Sequence, residues 1–189
     1  MKKLGVFLLA AAAALAMSGC VVSEESSQVI TDNDPAGESQ AETSAAPEGD
    51  TKASVGQTVT SDTWAISLTG AKVYEEIAGE YLTDKPEEGK VYLVLFFDVQ
   101  NVSEEDDYFN YLNVESYVDG YSATQSLLTS DPDGYEWLTG DVAAGKKLQG
   151  YMAWEVDPEW KELEVSYKDD LWTGNKAATF VVTPDDLTA

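Results

Sequence analysis

From Ser54 onward, apolar and polar residues alternate at spacing two, and the longest such stretch, Gly89 to Ser103, predicts a central β-strand. Val91, Leu93, Leu95, Phe97 and Val99 line one face, which reads as core along its whole length. On the other face Tyr92, Val94 and Phe96 give way to Asp98 and Gln100, so that face needs cover only at its beginning. A loop such as Glu75 to Asp84, or a partner protein, is expected to supply it. If neither does, the three residues form a bare apolar patch suited to binding. A second core strand follows the Ala144-Gly145 turn: Leu148, Gly150, Met152, Trp154 and Val156 alternate with Gln149, Tyr151, Ala153 and Glu155. Those apolar residues are expected to meet the inner face of the first strand.

Shorter strands are predicted at Val55 to Val59, Leu112 to Val118, Tyr121 to Leu128, Leu163 to Tyr167 and Ala178 to Val182. In Thr63 to Tyr74 the apolar phase changes near Gly70, as a bulge would make it, so that Ala71 and Val73 continue the core side. Asp119-Gly120 is a hairpin signal, and Thr129 to Asp141 reads as a long loop. No long helical period interrupts the pattern. Seven or eight strands in about 135 residues predict an all-β fold, an immunoglobulin-like antiparallel β-sandwich.

The first 53 residues follow a different rule. Lys2 and Lys3, an apolar run from Leu4 to Met17 and then small residues make an export signal, too short to span a bilayer as a mature helix. Met17-Ser18-Gly19-Cys20 resembles the lipobox of bacterial lipoproteins, with methionine where leucine is more usual. The division is therefore 1–19 as lipoprotein signal peptide, 20–53 as lipidated Cys20 and linker, and 54–189 as the sandwich domain. Two acyl chains on Cys20, at about 0.8 kcal/mol per buried methylene, hold a protein stably on a bilayer. The expected location is the bacterial cell membrane, lipid-anchored and facing the extracytoplasmic side. Val21 to Ala53 holds eight acids, one lysine and no aromatic residue, a composition expected to stay disordered as a flexible stalk.

Charge narrows the function. The chain carries a net charge of −24 from 35 acids and 11 bases, with no histidine, and every base is lysine. Nucleic acid is excluded as a partner, because no basic patch can displace phosphate counterions. Without histidine, the usual general base near neutral pH and the commonest transition-metal ligand are missing. The single cysteine leaves no intrachain disulfide and no thiolate cluster, and no cofactor is implied.

A strand ending in Asn101, the Asp119-Gly120 hairpin, the Ala144 to Lys146 turn and a glycine-containing strand running into Asp157-Pro158 follow the lipobox and acidic linker. This order of features resembles a family of extracellular bacterial lipoproteins of unknown function, whose immunoglobulin-like domain is similar to the immunoprotective secreted antigen of mycobacteria. The resemblance covers Ser54 to about Thr183, and the family more often has Pro-Gly-Glu where this chain has Ala-Gly-Lys. It implies a fold and a location, and carries no catalytic residue.

Three constellations bear on chemistry. Asp131-x-Asp133-Gly134 matches part of an EF-hand, but the loop would then end at Gly140, where a bidentate glutamate is needed, so the EF-hand is rejected. A looser calcium site from Asp131 and Asp133, or from the Glu104 to Asp107 run, competes with the simpler reading of solvated acidic loops. Tyr108, Phe109, Tyr111, Tyr117, Tyr121, Tyr135 and Trp137 gather seven of the chain's 20 aromatic residues into one stretch. About half are expected in the core, and Tyr108, Tyr111, Tyr135 and Trp137 join Tyr92, Val94 and Phe96 as the candidate binding surface for a protein, peptide or glycan. Paired carboxylates for glycoside hydrolysis carry no specificity among 35 acids. The expectation is a monomeric, non-enzymatic surface module. A weak calcium-binding or envelope-structural protein is the alternative, with a carboxylate hydrolase last.

Overall fold

The computed structural model describes residues 29–32, 52–169 and 176–188. The signal-peptide and lipidation assignments, Cys20 included, lie outside these residues. The strands, in chain order, are β1 (Val29–Asp32), β2 (Lys52–Ala53), β3 (Gln57–Thr60), β4 (Trp64–Tyr74), β5 (Ile77–Ala78), β6 (Thr83–Asp84) and β7 (Val91–Asn101). There follow β8 (Asp107–Phe109), β9 (Val114–Val118), β10 (Tyr121–Ser122), β11 (Gly140–Val142), β12 (Lys147–Val156), β13 (Leu163–Lys168) and β14 (Lys176–Val182).

Ten of these strands form two five-stranded sheets, β1-β3-β4-β7-β12 (sheet I) and β10-β9-β13-β14-β2 (sheet II), and the fold is an all-β sandwich. The strand count exceeds the expected seven or eight because very short strands at the edges and in the connections carry no alternation of their own. β7 is the centre of sheet I. It pairs antiparallel with β4 on one side and with β12 on the other, and both pairings run its full length. Its inner face is as predicted, with Leu93, Leu95, Phe97 and Val99 buried in the main core.

Met152, Trp154 and Val156 do not face that row across the sandwich. They lie beside it, opposite Leu95, Leu93 and Val91 in the β7–β12 ladder. The facing layer is sheet II, where Leu163, Val165, Tyr167, Ala178, Phe180 and Val182 join the same core. Phe97 meets Phe180 edge-on at 5.9 Å. The Trp154 indole crosses between the sheets and donates from Nε1 to Ser116 Oγ at 2.8 Å.

The bulge is where the phase change puts it, between Leu68 and Gly70. Ala71 returns to the core, but Val73 does not and is 38 % exposed. At the β9–β10 hairpin, Asp119 and Gly120 both have positive φ, 51° and 81°, the geometry of a type I′ turn. The returning strand is shorter than its alternation suggests, because after Ser122 the chain leaves sheet II to run along β12. Gln125 bridges to Trp154 and Trp137 to Tyr151.

The linker reading needs correction at both of its described stretches. β1 pairs antiparallel with β3 (Val29 opposite Thr60, Asp32 opposite Gln57), and β2 pairs parallel with β14. Val29-Ile30-Thr31 is β-branched and fits a pleated edge despite its acidic surroundings. For β1 the balance is close: about four ladder bonds at roughly 0.5–1.5 kcal/mol each offset about 1–2 kcal/mol of ordering entropy per residue.

Candidate binding surface

Tyr92, Val94 and Phe96 alternate with the inner row of β7 and so emerge on the outer face of sheet I. They are not a bare patch: all three are at most 5 % exposed. With Ile77, Tyr151 and Ala153 they form a second, smaller core, against which Tyr74, Leu128, Tyr135 and Trp137 pack. The cover is a lid of two parts, the β5–β6 hairpin and the excursion after β10. Tyr135 lies on Phe96 with ring centroids 5.0 Å apart, and Trp137 stands edge-on to both Tyr151 (5.4 Å) and Tyr111 (5.8 Å).

The Asp84 carboxylate joins the two parts. It accepts hydrogen bonds from Thr129 N (3.1 Å), Thr129 Oγ1 (2.8 Å) and Ser130 N (2.8 Å), while Ser130 Oγ donates to Leu82 O at 3.2 Å. Burial pushes the Asp84 carboxyl up, but the Thr129 and Ser130 donors outweigh it and leave the group below its ordinary value. The excursion also needs a bare backbone beneath it. A Cβ on Gly150 would sit 2.8 Å from Glu136 O and from Leu138 Cα. Leu138 N donates to Tyr151 O, and Tyr151 N to Glu136 O, each at 3.0 Å.

Large apolar side chains stay open around this lid. Tyr81 and Leu82, at the tip of the β5–β6 hairpin, are 86 % and 63 % exposed, and Leu127 is 68 % exposed. Among the described residues, Gln125 Oε1 and Trp137 Nε1 in the excursion are buried without a hydrogen-bond partner, and Tyr74 Oη in β4 has only the neighbouring Asp133 carboxylate to turn to. Burial, and then the neighbouring Asp133 carboxylate, push the Tyr74 phenol up. Burial, with Asp131 and Asp84 nearby, pushes Tyr151 up to about 12. Both phenols therefore stay neutral at physiological pH and can act as hydrogen-bonding groups but not as bases.

The sequence-predicted aromatics divide by position. Tyr135 and Trp137 belong to the lid, and Tyr111, in the turn ahead of β9, packs against Trp137; all three are half-buried. Tyr108 lies in β8, paired with β11, with its Oη 3.1 Å from Thr139 Oγ1. Phe109 is core, stacked on Tyr167 at 4.3 Å, while Tyr117 and Tyr121 are exposed on sheet II. Fewer of the seven are fully buried than the expected half, because Tyr111 and the two lid residues Tyr135 and Trp137 sit at an intermediate depth.

The acidic candidates do not converge. Asp133 pairs with Lys72 at 3.2 Å, and Asp131 precedes it in a 3-10 turn on the lid side. Glu104 and Asp107 lie beyond the other end of β7, where the neighbouring Asp106 accepts from Ala144 N at 3.0 Å. Among the described residues, no three His, Cys, Asp or Glu side chains are placed to hold a metal ion.

Two organising residues escaped the sequence reading. Asp84 is one, and nothing in Thr83-Asp84-Lys85-Pro86 distinguishes it from an ordinary turn acid. Asn101 was noted as a strand end, but its work was not visible. Wholly buried, it donates from Nδ2 to Glu105 O (2.7 Å) and Val142 O (2.8 Å), and accepts at Oδ1 from Ser103 N (3.0 Å) and Oγ (2.7 Å). A polar residue ending an apolar run was its only signal.

A two-sheet antiparallel sandwich with a covered outer face defines the class of this protein. Within that class, the chain belongs to the family of the domain of unknown function DUF4352, whose profile matches residues 53–178. No curated protein matches it. Among solved structures it is similar to a candidate lipoprotein (ycdA) of Bacillus subtilis, at 16 % identity and a TM-score of 0.52, covering 68 % of this chain and 39 % of that one. It is also similar to the yjhA protein of Bacillus subtilis, at 14 % identity and a TM-score of 0.50, covering 69 % and 98 %. A β-sandwich protein of Clostridium difficile matches at 13 % identity with a TM-score of 0.46, covering 75 % and 99 %. The chain thus spans about two fifths of the ycdA chain, and these likenesses concern the fold.

Proposed function

We propose that this chain is a lipoprotein held on the extracytoplasmic face of a bacterial membrane through acylated Cys20, and that its sandwich is a non-enzymatic binding module. The observation that supports the binding role is the lid, whose outside carries the exposed side chains of Tyr81, Leu82 and Leu127. Clustered exposed aromatic and aliphatic side chains suit a protein, peptide or glycan surface better than chemistry on a small substrate. The immunoglobulin-like resemblance to the mycobacterial secreted antigen fits this reading. Among the described residues, no helix is long and apolar enough to cross a membrane, and the anchor rests on the Met17-Ser18-Gly19-Cys20 sequence.

Anchoring is tested by Cys20→Ala, which should release the protein or leave its precursor unprocessed; unchanged membrane retention refutes it. Binding is tested in cells with a photoreactive residue in place of Tyr81 or Leu127, with exposed Asp62 at the far end of the sandwich as control. A discrete adduct from the lid sites and none from position 62 is expected. Equal adducts at all three, or none at the lid, refute the surface.

A further inference from the structure

The two edges of sheet I are closed by different kinds of backbone. Along β12 the cover is the excursion after β10, part of the domain itself, through Ser126 N to Ala153 O (2.8 Å) and the Glu136 and Leu138 bonds to Tyr151. Along β3 the cover is β1. That strand lies ahead of the family region, which begins at residue 53, and nineteen residues separate Asp32 from Lys52. The outer edge of β3 therefore already holds an extended peptide that comes to it from ahead of the stretch the family profile matches.

Such pairing recognises main chain first and alternate side chains second, which is how sheets capture peptides by strand addition. The four-residue ladder roughly offsets the entropy of ordering it, so its main-chain bonds by themselves hold the resident strand only weakly. Its neighbours define what fits: Thr58, Val59 and Thr60 present a β-branched edge and Val29, Ile30 and Thr31 answer with β-branched residues.

We propose that the outer edge of β3, Gln57–Thr60, is a strand-accepting site for an extended, β-branched peptide segment of a partner protein, and that Val29–Asp32 is its resident, displaceable occupant. This deepens the binding reading above by naming a second surface and the kind of ligand it takes.

The probe is a fluorescein-labelled peptide of residues 27–34, titrated by anisotropy against the full-length protein in detergent. Two full-length variants lack a pairing-competent β1: Ile30→Pro, and the quadruple Val29→Gly, Ile30→Ser, Thr31→Gly, Asp32→Ser. Both should keep the cooperative melt of the unaltered protein, since β1 adds only a four-residue edge strand to sheet I. Both should bind the peptide saturably and at least tenfold tighter than the unaltered chain, whose own strand competes, with slowed amide exchange across 57–60. No saturable binding to either variant, equal binding to all three proteins, or equal binding of a peptide with proline in place of Ile30 overturns the proposal. A concentration-dependent dimer that Ile30→Pro abolishes would assign the edge to a second copy and overturn the heterologous partner. Failure of the peptide leaves cross-linking through Tyr81 as a separate test of the lid.

Discussion

Replacing Asp84 by alanine removes a side chain that bonds the β5–β6 hairpin to the excursion through three donors, Thr129 N, Thr129 Oγ1 and Ser130 N, and leaves the Ser130 Oγ bond to Leu82 O as the only other side-chain bond between them among the described residues. Hydrogen bonds to a charged acceptor contribute roughly 1.5–3 kcal/mol each when dry. Asp84 is only partly buried and Thr129 is exposed, so water replaces much of that, and about 2–3 kcal/mol for the set is reasonable. Spread over local opening of the lid, this corresponds to a roughly 30- to 150-fold rise in amide exchange across 77–84 and 125–138. The strands β4, β7, β13 and β14 should exchange as before. The pH dependence has a definite sign. The folded carboxyl lies below its ordinary value, so its contribution is fully present above the unfolded pKa of about 4 and is lost as pH falls through the lower folded value. Lid exchange in the unaltered protein should therefore accelerate only at strongly acid pH, and Asp84→Asn should abolish that acceleration. Hydrogen exchange by mass spectrometry at several pH values reads both effects. Unchanged exchange across 125–138 in Asp84→Ala, or an equal rise in every strand, would refute the view of the lid as a separately clipped unit.

Asn101→Ala should cost about 2–4 kcal/mol in urea unfolding, since it takes the side-chain donor from the Val142 carbonyl and the acceptor from the Ser103 amide, while Glu105 O keeps Ser103 Oγ; Asn101→Asp should be worse, because it turns a charge toward two carbonyls. Gly150→Ala forces a methyl group against Glu136 O and Leu138 and should cost about 1–3 kcal/mol, with a red shift of Trp137 emission as the excursion lifts. Millimolar calcium should leave the melting temperature unchanged, because Asp133 is held by Lys72 and the Glu104 to Asp107 run lies beyond the opposite end of β7.

The sandwich was legible because a two-residue period states which side of a strand is dry. Both faces of β7 were readable down to the point where the outer face turns polar at Asp98, and the bulge at Gly70 showed as a change of phase. Half of the cover was readable too, since the expected Glu75 to Asp84 segment supplies the β5–β6 hairpin, whereas the excursion after β10 was not. The lid is held by single contacts between residues far apart in the chain, such as Asp84 with Thr129 and Gly150 under Leu138, and no local pattern encodes them. The edge strand β1 was hidden for a different reason. Four β-branched or polar residues inside an acidic, low-complexity stretch look the same whether or not a neighbouring edge captures them.

With Cys20 as the proposed anchor, β1 decides how far the sandwich stands from the bilayer. Docked, Val29 lies beside Thr60, nine residues beyond Cys20, so the tether reaches at most roughly 30 Å. With β1 displaced the tether runs to Lys52 instead, and its limit rises to about 110 Å. Thr60 leads into the Trp64–Asn101 end of sheet I, whereas the hairpin bearing Tyr81 and Leu82 follows the Tyr74–Tyr92 end. Strands of eleven residues place those ends about 35 Å apart. A docked β1 therefore draws the Asn101 end toward the lipid and points the lid away from it, and a strand that displaces β1 loosens reach and orientation together. Energy transfer from a dye at position 81 to acceptors in a nanodisc should register this as a broader, longer distance distribution in Ile30→Pro than in the unaltered chain. Identical distributions would mean that β1 does not set the height of the domain.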